Sequence, residues 1–178
     1  MPLVLELPPL EEQHAANLRR WAELETDLGL ASTPDRVETD RFGNVMMSPF
    51  AGGWHGRLEF KIGLLLEKRL GEEVIMECPI STSDGVRLAD VGWYSPPRFS
   101  SVKQFSAYPE APEICVEVVS PSNSMAEMHY KRRLYFEAGA IEFWLCSREG
   151  KLTFYDTPEG ESVESSGLCQ DFPHSIEV

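Results

Sequence analysis

The sequence predicts a mixed α/β fold, one β-sheet flanked by helices in a single domain. Three observations carry that prediction. The 178 residues suit one sizeable core, whereas two independent domains would each be small. Apolar residues make up 42% and aromatic residues 10%, a globular composition with no internal repeat or low-complexity segment. Segments with helical spacing and short strand-like runs follow one another as helix, several strands, helix, two strands.

Residues 10–29 ("LEEQHAANLRRWAELETDLG") read as a helix that ends at Gly29. Residues 1–35 are therefore expected to form an N-terminal helical extension, with 36–178 as the main domain. "VETDRFGNVMMSP" reads as a hairpin, two short strands around Arg41 to Asn44 with Phe42-Gly43 at the turn. "AGGWHG" leads into a helix over 54–70, where Leu58, Ile62, Leu65 and Leu66 recur at helical spacing and Gly71 is the stop. Strand-like runs follow at 73–80, 86–94 and 113–119. Ser124 with Glu127 three residues on is a capping-box pattern, and Gly139 stands where that helix should end. The last predicted pair is "IEFWLCS" and "KLTFYD", a hairpin around Arg148-Glu149-Gly150.

Composition narrows the function classes. The net charge is −13, from 16 basic and 29 acidic residues. After Lys151 no Lys or Arg occurs, but six acids do: Asp156, Glu159, Glu161, Glu164, Asp171 and Glu177. This acidic balance argues against tight, non-specific nucleic-acid binding, yet leaves room for a nucleic-acid enzyme with a local basic patch. Arg132 and Arg133 are the candidates for such a patch, an ordinary exposed helix face being the alternative. No apolar run approaches the ~18 residues that span a bilayer. "MPLVLELPPLEEQ" lacks the positive start and the cleavage site of a signal peptide, so a soluble, cytoplasmic protein is expected. Cys78, Cys115, Cys146 and Cys169 lie far apart, which favours buried reduced thiols over a zinc site.

Two acids break the apolar pattern. Glu117 sits in "PEICVEVVS" among Ile114, Cys115, Val116, Val118 and Val119, and Asp90 sits in "VRLADVGWY" between Leu88 and Val91. Burying a lone carboxylate costs several kcal/mol unless a cation, a donor or a metal compensates. Each acid could simply face solvent. If the two strands are neighbours, however, the pair can converge, and a divalent cation with oxygen ligands relieves their repulsion. Mg²⁺ or Mn²⁺ would then bind at Asp90 and Glu117. Lys131 lies on the inward stripe Met128, Lys131, Leu134, Tyr135, Ala138 of the helix opened by Ser124. Its ammonium either snorkels to the surface or stands beside the acids, where it could stabilise charge on a phosphoryl oxygen.

"MMSPFAGGWHGRL", "RLADVGWY", "PEICVEVVSPSNS" and "KRRLYFEAGAIEFWL" together resemble the Uma-two family of the PD-(D/E)XK nuclease superfamily, over roughly residues 36–157. The resemblance implies a restriction endonuclease-like mixed sheet with a helix on each face and an acid pair that binds a divalent metal. Asp90 matches the family's Pro-Asp aspartate, Glu117 the glutamate of its Glu-Val-x-Ser strand, and Lys131 and Tyr135 its Lys-x-x-x-Tyr motif. Two positions depart from the pattern. The superfamily's usual lysine position holds Val119, so the role falls to Lys131, and Ala89 replaces the proline before Asp90.

The implied function is metal-dependent endonucleolytic hydrolysis of DNA phosphodiester bonds. The alternative, which the acidic balance and Val119 favour, is a nuclease-fold module with a binding or regulatory role. Some nucleases of this superfamily carry another acid on the helix occupied here by His55 and Glu59. Glu59 could supply it, although a solvated helix residue is the simpler expectation, as a plain turn is for "GGWHG". The fold is compatible with a homodimer, but no residue demands one.

Overall fold

A computed structural model describes residues 8–27, 29, 32–49, 51–71, 73–121 and 123–177. The elements run α1 (Leu10–Glu25), β1 (Arg36–Thr39), β2 (Val45–Ser48), α2 (Gly53–Leu70), β3 (Val74–Thr82), β4 (Gly85–Trp93), α3 (Pro96–Val102), β5 (Ile114–Val118), α4 (Met125–Glu137), β6 (Glu142–Cys146) and β7 (Leu152–Tyr155). Strands β3 to β7 form one sheet in that spatial order, antiparallel except for the parallel pair β5–β6 that α4 connects. The hairpin β1–β2 is a separate two-stranded sheet. The architecture is the single-domain mixed α/β fold expected from the sequence.

Alternation along the strands sorts the core into two halves. Ile114, Val116 and Val118 pack with Trp144 and Cys146 against Leu58, Ile62 and Leu66 of α2. Cys115 lies in the opposite half, with Phe143 and Leu145, under Met128 and Tyr135 of α4. Glu117 has the parity of Cys115 and so belongs to the α4 face. The Ser124 hydroxyl caps α4 by accepting the Glu127 amide at 3.1 Å, as the capping box predicts.

Three parts differ from, or add to, the sequence reading. The first helix stops at Glu25 rather than Gly29, and residues 28, 30 and 31 lie outside the described residues. Its Asn17 amide donates to Ser81 Oγ (2.9 Å) and to the Thr82 carbonyl (2.8 Å), tying the N-terminal helix to the end of β3. Helix α3 was hidden by its two prolines, which suit the first turn of a helix because no amide partner is needed there. The acidic C-terminal segment is tied to β6, whose buried Glu142 carboxylate accepts from Ser166 Oγ and the amides of Gly167 and Leu168 as well as from Trp144 Nε1, all at 2.7–2.9 Å.

The hairpin β1–β2 lies across the start of β4. Thr39 Oγ1 accepts the Val86 amide (2.9 Å) and Glu38 Oε1 the Leu88 amide (2.8 Å), so side chains stand where a neighbouring strand's carbonyls would. Gly85 permits this approach, since a Cβ there would fall 2.2 Å from the Thr39 carbonyl oxygen, and its φ is +86°. The four cysteines are free and buried. Among the described residues, no helix is long and apolar enough to cross a membrane.

Candidate active site

The β4–β5 ladder pairs Trp93 with Ile114, Gly92 with Cys115 and Val91 with Val116. Continuing that register sets Asp90 opposite Glu117, at the point where the strands part. There the Asp90 carboxylate enters between the strands, and its Oδ2 accepts the Val118 amide at 2.6 Å. Asp90 is 1% exposed and Glu117 2%, so neither faces solvent.

Lys131 does not snorkel. It is buried, and its ammonium lies 3.2 and 3.3 Å from the two Glu117 oxygens, 3.1 Å from the Leu88 carbonyl and 3.1 Å from Glu38 Oε1. Tyr135, one turn on, donates its hydroxyl to Glu117 Oε1 at 2.7 Å. The helical stripe therefore delivers Lys131 and Tyr135 to the carboxylate, and Asp90, Glu117 and Lys131 share one buried cluster. Val119 continues the β5–β6 pairing through its amide to the Cys146 carbonyl (2.8 Å), and the cation arrives from α4 instead.

Other charges complete the cluster. Arg36 Nη1 is 2.5 Å from Asp90 Oδ1, its Nη2 donates to the Leu88 carbonyl, and its Nε is 3.1 Å from Glu77 Oε2. From the α2 side, His55 Nε2 stands 2.8 Å from the Val118 carbonyl and 3.4 Å from Asp90 Oδ2, while Nδ1 is 2.7 Å from Glu59 Oε1. A carbonyl oxygen only accepts, so Nε2 carries a proton. The expectation that Glu59 is solvated is corrected: it is 8% exposed, held inside by the His55 contact one helical turn away. "GGWHG" is likewise more than a plain turn, for its Gly53 begins α2 and its histidine reaches the sheet.

Arg132 needs a second correction. It is 1% exposed, its guanidinium lies 4.0 Å from the Tyr155 ring centroid, and Nε donates to the Thr157 carbonyl at 2.7 Å. It ties α4 to the β7 end and adds nothing to a basic patch; Arg133 alone of the two stays exposed. Arg36, Glu38 and Glu77 were absent from the sequence reading. Arg36 and Glu38 share a face of β1 by alternation, but nothing local showed that this face is covered.

The electrostatics split the two acids. Burial pushes the Asp90 carboxyl up, but Arg36, the His55 hydrogen bond and Lys131 together hold it below the ordinary aspartate range. Burial pushes Glu117 upward as well, and there the balance goes the other way: Lys131 opposes the rise, while the Asp90 charge adds to it. Glu77 is pushed up to about 7 by burial, against the pull of Arg36. Burial would lower His55, yet its bonds to Asp90 and Glu59 raise it to about 10, so it is an imidazolium at neutral pH.

Donor atoms of His55, Glu59 and Asp90 lie within 4.8 Å of one another, a convergence that fits one ion. Glu59 Oε1 is buried 2.7 Å from His55 Nδ1, so a metal cation there would take the place of the imidazolium's proton. Carboxylates suit Mg²⁺ and Mn²⁺, and an imidazole favours Mn²⁺ of the two, provided it first gives up a proton. Glu117, expected as the second ligand, is not one of these three, and its carboxylate is turned to Lys131 and Tyr135. Beside the cluster is a cavity of about 160 Å³, lined among others by Arg36, Glu38, His55, Glu77, Asn123 and Lys131.

The Uma2 family, described as "Putative restriction endonuclease", matches residues 19–176 of the chain. A crystal structure described as a putative nuclease belonging to DUF820 from Anabaena variabilis ATCC 29413 is similar with a TM-score of 0.66. The likeness covers 85% of this chain and 93% of that one at 17% identity, which shows a shared fold. No curated protein matches the chain.

Proposed function

The chain belongs to the Uma2 family of putative restriction endonucleases, and from that membership we propose that it is a metal-dependent endonuclease hydrolysing phosphodiester bonds of DNA. The observation that supports this most is that the β4–β5 register, continued one pair, sets Asp90 opposite Glu117, with the Lys131 ammonium on the Glu117 carboxylate. This supports reading Asp90, Glu117 and Lys131 as the acid pair and cation of a PD-(D/E)XK site, with the lysine supplied by a helix.

In this reading Asp90 and Glu117 are the carboxylate pair toward Mg²⁺ or Mn²⁺, with Glu59 and His55 as further donors. When bound, such an ion would supply positive charge against the phosphoryl oxygens. Before loading, Asp90 is ionised because Arg36 and His55 hold its carboxyl low, and a bound cation would keep it so. Glu117 is the second carboxylate of the pair, its oxygens oriented by Lys131 and Tyr135. Lys131 stabilises the charge that builds on the phosphoryl group. Burial of the cluster keeps bulk water from screening these charges.

Two observations favour a second reading, a nuclease-fold module without strong catalysis: the Lys131 ammonium already lies within 3.3 Å of Leu88, Glu117 and Glu38 oxygens, and the net charge of −13 repels a polyanion. A nicking assay on plasmid and single-stranded DNA with Mg²⁺ or Mn²⁺ separates the two. The nuclease cleaves, and Glu117→Ala loses at least ~10²-fold. Absence of metal-dependent cleavage on both substrates would favour the module.

A further inference from the structure

If the site is a nuclease centre, it requires a cation at Asp90 and an anion within reach of Lys131. Both positions are filled by side chains of one strand. Arg36 and Glu38 stand two residues apart on β1 and so on the same face. The Arg36 guanidinium bridges Asp90 Oδ1 (2.5 Å) and Glu77 Oε2 (3.1 Å), and the Glu38 carboxylate lies 3.1 Å from Lys131 Nζ.

The lysine shows how complete this occupation is. An ammonium has three N–H donors. The Leu88 carbonyl, Glu117 and Glu38 account for three acceptors, and Glu38 is the one of these that lines the neighbouring cavity. Lys131 lines the same cavity, so an anion coming to it competes with Glu38 for the ammonium. Asp90 is not among the cavity's lining residues, whereas Arg36 is. A cation entering there meets Arg36 on the Oδ1 side of the carboxylate and His55 on the Oδ2 side.

The attachment of β1 suits a displaceable part. Among the described residues it makes ladder bonds to β2 alone, and its hold on β4 runs through side chains: Thr39 to Val86, Glu38 to Leu88 and, beyond the strand, Arg41 to Asp84 at 3.1 Å. Its withdrawal would break these contacts and those of Arg36 to Leu88 and Asp90, but no ladder bond of the five-stranded sheet.

We propose that β1 is a self-occupying latch, in which Arg36 holds the place of the divalent cation and Glu38 that of the scissile phosphate, so that metal and substrate load by displacing them. The proposal rests on the nuclease reading above and adds to it a mode of regulation. A latch closed about nine-tenths of the time weakens apparent affinity about tenfold, and removing its cation restores that factor.

The test is calorimetric titration of the full chain with MnCl₂, for wild type, Arg36→Gln and Asp90→Asn. Asp90→Asn should lose binding and Arg36→Gln should bind at least about tenfold tighter. If Asp90→Asn loses binding but Arg36→Gln binds equally or more weakly, the latch is overturned and the metal site stands. Binding by Asp90→Asn at wild-type strength removes the site, and the latch with it. Should Arg36→Gln fail to fold by circular dichroism, hydrogen exchange of the wild type decides. Mn²⁺ should then speed exchange at residues 36–39 and 45–48 by at least about tenfold, and unchanged or slower exchange overturns the proposal.

Discussion

Lys131→Met preserves most of the buried stem and removes only the ammonium, so its cost can be worked from the contacts. Glu117 keeps the Tyr135 hydroxyl at 2.7 Å but loses its cation. Glu38 keeps the Leu88 amide at 2.8 Å and a looser contact with Arg87 at 3.5 Å. Removing one partner from a buried pair costs about 3–5 kcal/mol, because the surviving charge stays desolvated. Glu117 can relieve part of this by taking a proton, which its upward shift makes easy, so the lower end, about 3 kcal/mol, is expected. That is a large share of the ~5–15 kcal/mol of a typical domain. Urea unfolding at about pH 8, followed by the fluorescence of the buried Trp93 and Trp144, should report the loss. Lys131→Met combined with Glu117→Gln should recover at least half, since the uncompensated charge is gone. A loss below about 1 kcal/mol, or a double variant weaker than the single, would refute the idea that Lys131 neutralises these carboxylates. Cleavage by Lys131→Met, measured where the variant is folded, should fall at least ~10²-fold.

The other expectations bear on the surroundings of the site. His55 has its pKa raised to about 10, so its contribution to stability is complete below its unfolded value near ~6.5 and is lost as pH rises through 10. The urea midpoint should accordingly fall between about pH 7 and 10, and His55→Gln should flatten that fall. Asp90 has the opposite sign: its share is lost as pH drops below the ordinary aspartate range, and Asp90→Asn should abolish that acid limb. Glu142→Ala strips the acceptor from four donors and should cost at least ~3 kcal/mol, with limited proteolysis then cutting within residues 163–177 first. Gly85→Ala drives a Cβ toward the Thr39 carbonyl and should lower thermal stability by more than ~1 kcal/mol while loosening the hairpin that carries Arg36.

The sequence showed where charge is costly but not what compensates it. Asp90 and Glu117 were legible because each interrupts an apolar run, and Lys131 because a capping box fixes the phase of its helix. The fold class was legible for the same local reason, since alternation and helical spacing are properties of neighbouring residues. Compensation is not local. Arg36 reaches Asp90 across 54 positions and Lys131 reaches Glu117 across 14, and only the folded register brings such residues together. The short β1 is rich in polar residues and reads as a solvent-facing hairpin until β4 is laid beneath it. Arg132 failed in the opposite direction: off the inward stripe, it is covered by Tyr155 and Thr157, which fold back over its helix face. Glu59 is buried because His55 stands one turn before it and needs a counter-charge. In each case an internal partner makes the buried charge tolerable. The same partners, Arg36 at Asp90 and Glu38 at Lys131, hold the two positions where a metal and a phosphate would have to bind, so the contacts that keep the cluster folded are those that loading must break.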